Sequence, residues 1–370
     1  MTEDKNPLVE ENEIEDYELF ESAIDDFIIE IDALAETLPL TMGLVSVKLR
    51  NKRKQMDKFF EDFSSKDDKE QKFKIPLDKF NLFNRLDNEL NGAEAAQTIL
   101  PRNFLVSLVS QYDAYIGELY RILFDVNEKL LFSLDREFSF QEILKFEDLD
   151  ELIDFMIEKD VESLLRESHF EQLRTIERRI TKMTGKEFTL TTDLPILPTF
   201  IEATERRNLF VHCNGIVSRQ YIENCKKHNV EGIDKIKIND LLHAGPIYFN
   251  KAYQSIFEVG IKLGHVLWRK FLPDKILEAD KNLNNIAYDL IYNGYYDLAK
   301  TLLQFGTEII KKHGSQEMRK TMIVNKALAF YLDNDKKTAL KILDSEDWSI
   351  GNQFKLSVAV LKEDFELARK

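Results

Sequence analysis

Turn-forming residues are scarce in this chain. Thirteen glycines and eight prolines occur in 370 residues, about half of what average usage would supply. A backbone that reverses so rarely is committed to long elements. With 32% charged residues, those elements read as helices with solvated outer faces, and the fold class expected is all-α. The 44% hydrophobic residues supply a core, and the length allows about two domains. Collagen-like, disordered and disulfide-scaffold classes are excluded for the chain as a whole.

The net charge of −15 argues against a partner such as duplex DNA or an anionic membrane, while leaving room for a local basic site. Cys213 and Cys225 cannot build a disulfide framework and fit a reducing compartment. The first 26 residues hold a single lysine, Lys5, and no apolar core of signal type. No uncharged apolar stretch is long enough to span a bilayer. A cytoplasmic protein with no membrane association is expected.

Hydrophobic periodicity divides the chain into four parts. Residues 1–15 form an acidic arm. Residues 16–75 are an N-terminal helical segment and charged linker. Phe20, Ile24, Phe27, Ile28, Ile31 and Leu34 make one stripe over a helix at 17–34. A second helix is expected over 44–63, and its basic run (Lys48, Arg50, Lys52, Arg53, Lys54) reads better as a solvated face than as an RNA track. Residues 76–273 are expected to form a helical bundle. Its most apolar run, 104–124, is the natural central helix. Helices at 148–168 and 169–184 follow, the latter stopped at Gly185, and Pro198 opens the next one. Residues 274–370 read as helical hairpins: Ala299, Ala339 and Ala368 each stand five positions after Gly294, Asn334 and Glu363. That pattern resembles tetratricopeptide-like repeats; an ordinary helical C-terminal domain is the other reading.

The strongest local signal is E-R-R-N-L-F-V-H-C-N-G-I-V-S-R-Q-Y, residues 205–221. On a helix, Asn208 and His212 lie four apart and share a face, with Arg207 one step round. Leu209, Phe210 and Val211 fill the space between and can pack inward, holding a polar edge. Gly215 then suggests a helix end near His212. The plainer reading is a histidine bonded to its own last turn, with Arg206 paired to Glu202 four residues back and Arg207 solvated. Other constellations are weaker. Cys213, Cys225, His228 and His243 contain one tight pair and no C-x2-C, so core or surface thiols are preferred to zinc. Gly314-Ser315 followed by Asp333 and Asp335 is set aside as a nucleotidyltransferase pattern, because the gap is long, lysines flank it and no strand is visible. No P-loop, dinucleotide fingerprint or nucleophile elbow occurs.

R-N-L-F-V-H-C-N-G-I-V resembles the signature of HEPN domains, and its R-N-x-x-x-H-x-x-G form is similar to the RiboL-PSP-type branch. The resemblance spans about residues 77–271. It implies a HEPN-like bundle and a metal-independent endoribonuclease, with Arg207 and His212 as the catalytic pair and Asn208 orienting them. Arg206 has an alternative spacing to His212 and could share the role of Arg207. With Arg219, it is expected at the RNA. Asp113 and Glu118 on the central helix are candidates for orienting the site. The implied partners are an RNA substrate, a second copy of the chain in a homodimer, and a regulatory or antitoxin protein; no metal and no cofactor is implied. The family suggests prokaryotic stress response or phage defence. The competing expectation is a catalytically silent, dimerising adaptor that binds protein through its C-terminal hairpins.

Overall fold

A computed structural model describes residues 15–67, 72–134, 139–364, 366 and 369 of the chain. The described residues are mostly helical, with almost no strand. In chain order the helices are α1 (Asp16–Phe63), α2 (Phe80–Val126), α3 (Phe140–Ile143), α4 (Leu149–Leu165), α5 (His169–Thr184), α6 (Leu197–His212), α7 (Arg219–Lys227), α8 (Pro246–Phe271), α9 (Ile276–Tyr292), α10 (Tyr296–Gln304), α11 (Gln316–Leu332), α12 (Lys336–Asp344) and α13 (Asn352–Leu361). The strands β1 (Ser65–Asp67) and β2 (Lys72–Lys74) pair antiparallel within the charged linker, with Lys66 opposite Phe73. No described helix is long and apolar enough to cross a membrane.

Two of the expected N-terminal helices are one. α1 runs unbroken for 48 residues with Pro39 inside it. A proline in a helix interior removes one hydrogen bond and crowds the preceding turn. Here the buried stripe carries on past it: Phe20, Ile24, Phe27, Ile31, Leu38, Leu49, Met56 and Phe59 are all buried. Packing of one continuous face therefore outweighs the local break. The central helix is also longer than expected. α2 extends from Phe80 through Pro101 to Val126, and Leu105, Leu108, Val109, Tyr112, Ile116, Leu119 and Tyr120 are fully buried along it.

By packing, the chain forms two compact units, neither of them a continuous stretch of sequence. One comprises the described residues of Met1–Asp26, Tyr115–Leu190 and Gly260–Lys370; the other comprises those of Phe27–Ala114 and Thr191–Val259.

The first unit holds α4, α5 and the C-terminal helices. Asp160 on α4 accepts hydrogen bonds from Tyr120 (2.6 Å) and Arg179 (2.8 Å), tying three helices together. α9 with α10, and α11 with α12, form hairpins that stack on each other. Gly294, Asn334 and Glu363 all adopt left-handed backbone, with φ of 81°, 65° and 58°. After each, the next amide reaches back five residues: Tyr295 to Leu290 (2.8 Å), Asp335 to Phe330 (2.9 Å) and Asp364 to Ala359 (2.9 Å). This is one helix-ending motif used three times. Glycine and asparagine take it easily. Glu363 does not, and its carboxylate is held by Tyr331 (2.7 Å) and Lys336 (2.6 Å). Ala299 and Ala339 are buried where the hairpins meet; Ala368 lies outside the described residues, as does most of the acidic arm.

The second unit holds α6, α7 and the 3-10 turn Ile233–Lys235, with Leu209, Val217, Tyr221, Cys225 and Ile233 as a small core. It also holds the greater part of α1 and α2, and Phe59, Phe60, Phe63, Phe73 and Phe83 cluster near their linker, with ring centroids 4.9 to 6.0 Å apart.

Candidate functional site

α6 begins with proline in its first turn, where the missing amide costs nothing. Phe200, Ile201, Ala203, Thr204 and Leu209 bury one side of it. It stops abruptly. Cys213 and Gly215 both donate to the Leu209 carbonyl (2.8 and 3.0 Å), and Asn214 and Gly215 have φ of 50° and 83°. The chain beyond is clipped to residues 239–242: Val217 donates to Asp240 (2.9 Å), Asn239 to Val217 (3.0 Å) and Leu242 to Gly215 (2.9 Å). A Cβ at Gly215 would press on the Leu242 carbonyl at 3.1 Å, the Phe210 ring at 3.2 Å and the Arg102 guanidinium carbon at 3.3 Å. Glycine is required there on two counts, left-handed backbone and close approach.

His212 is the last residue of α6, and its side chain is exposed, with no hydrogen-bond partner among the described residues. Asn208 lies one turn back on the same face. Its Oδ1 accepts a hydrogen bond from Arg207 Nη1 (3.2 Å). The other terminal nitrogen of Arg207 pairs with the Asp113 carboxylate on α2. Arg207 is therefore not solvated on the helix surface: its side chain is 20% exposed, held between a carboxylate and an amide. Arg207, Asn208 and Asp113 form one polar cluster, with the imidazole of His212 beyond it at the helix end.

Arg206 is placed differently. Its Nε pairs with Glu202 (2.7 Å), its Nη1 donates to the His243 carbonyl (3.1 Å), and its guanidinium lies 3.8 Å from the centre of the Tyr248 ring. Glu202 also accepts from Tyr221 (2.5 Å) and Tyr248 (2.8 Å). Burial pushes both phenols up, and the Glu202 charge adds to it. Burial would lower Arg206, but the surrounding Tyr248 and Glu202 outweigh it and raise it. This is a tightly satisfied pillar that joins α6 to α7 and α8. Arg219 opens α7, exposed to solvent and without a partner among the described residues. Glu118 pairs with Arg121 (3.5 Å).

Sequence reasoning missed Arg102. It is buried on α2, donates to the Asn214 carbonyl (3.0 Å) and to Asn214 Oδ1 (2.9 Å), and stacks against Phe210 at 5.3 Å. A signal was present. Arg102 and Asp113 are the two charged residues between Ala95 and Gly117. They stand eleven residues apart, which is about three turns and so one face. One secures the end of the motif segment and the other secures Arg207.

Cys225 is buried in the small core, its thiol pushed up to about 12 by burial and then by the Glu202 charge. Cys213 is partly exposed at the end of α6. Among the described residues, no group of three or more histidine, cysteine, aspartate or glutamate side chains is placed to hold a metal ion.

No protein-family model, curated protein or solved structure matches this chain.

Proposed function

We propose that the chain is an endoribonuclease of HEPN type, cleaving RNA through attack of a 2′-hydroxyl on the adjacent phosphate. The observation that carries this reading is the pairing of Arg207 with Asp113 and Asn208, a turn from the exposed His212. Each group has work to do in that chemistry. The imidazole moves the proton between the attacking 2′-oxygen and the leaving 5′-oxygen. The guanidinium donates to the phosphoryl oxygens as charge gathers there. Asp113 acts as a positioning residue, fixing the guanidinium plane at some cost in net positive charge. Asn208 steadies the guanidinium by accepting a hydrogen bond from its Nη1. The products are a 2′,3′-cyclic phosphate and a 5′-hydroxyl end. One histidine per chain serves acid and base together only with difficulty, so a homodimer that brings two α6 helices together is part of the proposal. The C-terminal hairpins would sense or recruit a regulatory partner, in stress response or phage defence.

The competing reading is a silent, dimerising adaptor. What favours it is that Arg207 is mostly covered and already neutralised by Asp113. Incubation of purified protein with mixed RNA in EDTA separates the two. The nuclease reading expects cleavage that is lost in His212→Ala, with growth arrest on expression lost in the same variant. Intact RNA together with unarrested growth on expression supports the adaptor.

A further inference from the structure

The outward face of α1 is apolar where a solvated helix is normally polar. Ile29, Leu40, Leu44 and Val47 are between 54% and 74% exposed. Ile29, Leu40 and Val47 fall within roughly 20° of one another around the helix, opposite the buried Leu38 and Leu49, with Leu44 beside them. An aligned apolar patch left in water marks a surface that something covers. We infer that a second copy of this chain docks on this face, its α1 antiparallel to the first and crossing it at Gly43.

Charge selects the occupant. From Phe27 to Val47 the charged residues are Glu30, Asp32 and Glu36, all acidic; from Lys48 to Lys58 six of the seven are basic. The sign therefore reverses across the apolar cluster. A parallel copy would set acid on acid and base on base. A uniformly acidic or basic surface would match one half and oppose the other. The same helix turned end for end matches both.

The register follows from the positions. At 1.5 Å per residue, Leu40, Leu44 and Val47 of each copy lie within about 6 Å of Gly43 along the axis. Glu36 and Arg50 stand seven residues either side of Gly43. Glu36 of one copy therefore faces Arg50 of the other, and by symmetry the contact occurs twice. Glu30 and Lys58 come alongside each other in the same way.

Those charges are available. Glu30, Glu36, Arg50 and Lys58 are exposed and make no ion pair among the described residues. Lys52 and Arg53, further round the helix, are taken by Glu89 (2.6 Å) and Glu94 (2.9 Å) on α2. The basic run thus divides between holding α2 and facing outward. Gly43 fits the crossing point. A Cβ there would meet nothing within 4 Å, so no contact inside the chain calls for glycine, which weakens a helix interior. A second helix crossing there can approach more closely than over a larger side chain.

Sedimentation equilibrium of the full chain tests the inference. The wild type is expected at twice the chain mass, with half-association at about 10 μM or below. Two double variants each reverse one half of the helix: Glu30→Lys with Glu36→Lys, and Arg50→Glu with Lys58→Glu. Each alone sets like charges against each other and should associate about tenfold or more weakly than the wild type. An equimolar mixture of the two restores opposite charges across the pair and should dimerise within about threefold of the wild type. Leu44→Arg, in the apolar seam, should weaken association about tenfold or more. The substituted side chains are all exposed, so circular dichroism should not change, and rescue in the mixture itself requires folded chains. A wild type still monomeric at about 100 μM leaves the stripe to a different partner and overturns the inference. So does wild-type association in every variant, which would place the pairing elsewhere, or a mixture no tighter than its components. The inference does not rest on the nuclease reading: sedimentation needs no RNA, and cleavage is measured separately.

Discussion

The Asp113 carboxylate accepts a hydrogen bond from the Arg207 guanidinium across 94 residues of chain. Both side chains are less than a quarter exposed, at 23% and 20%. Removing either one strands a charge with little water to take its place. Asp113→Ala and Arg207→Ala should each destabilise by about 1–3 kcal/mol. The double variant should cost less than the two summed, by about 1 kcal/mol or more. Urea unfolding of the four proteins measures this coupling. Additive losses would mean that the pair does not act as a unit.

Under the proposed mechanism, Asp113→Asn keeps the shape but loses the charge that orients Arg207. RNA cleavage should fall about tenfold to a hundredfold while circular dichroism stays unchanged. A variant as active as the parent would remove Asp113 from the site.

Glu202 serves three donors at once: Arg206, Tyr221 and Tyr248. Glu202→Ala should cost about 3–5 kcal/mol, because a covered guanidinium is left unpaired. Arg206→Met should cost less, since two hydroxyls still serve the carboxylate. The order of the two midpoints in chemical denaturation checks this; the reverse order would contradict it.

Gly215→Ala meets both unfavourable backbone and the contacts with Leu242, Phe210 and Arg102. A loss of about 1–3 kcal/mol is expected. Gly185→Ala, where the backbone is also left-handed but nothing lies within 4 Å of the added carbon, should lose only the conformational part. Equal thermal shifts in the two would show that crowding at Gly215 is negligible.

His265 is buried against Trp268, with ring centroids 5.9 Å apart. Burial, and then the charge of Arg269, push its imidazole down to about 3 from an ordinary 6.5. Below 6.5 the unfolded chain takes up a proton that the folded chain refuses. Stability from this group is therefore full above 6.5 and is lost as pH falls towards 3, by about 1.4 kcal/mol per unit. His265→Phe, which keeps a ring beside Trp268, should flatten the acid side of the stability profile by that slope between about pH 6 and pH 4. An unchanged slope would mean that the ring is protonated in the fold.

The helical class, the stop at Gly185, the proline at the head of α6 and the turns at Gly294 and Asn334 were legible in the chain itself. Each depends on chemistry within a few residues: apolar spacing, a missing amide, a tolerated left-handed backbone. Pro39 shows the limit of that local logic, because a buried stripe running from Phe20 to Phe59 carried the helix through it. Glu363 shows it again, taking a left-handed turn that its own side chain does not favour. The spacing of Arg207, Asn208 and His212 marked a polar helix edge. That Arg207 would be claimed by Asp113, Arg206 by Glu202 and two tyrosines, and Asn214 by Arg102 was decided by tertiary packing alone. A side chain's charge is a property of the sequence. Its partner depends on which distant helix face comes within hydrogen-bond reach, and that is settled only when long-range burial sets the helices together.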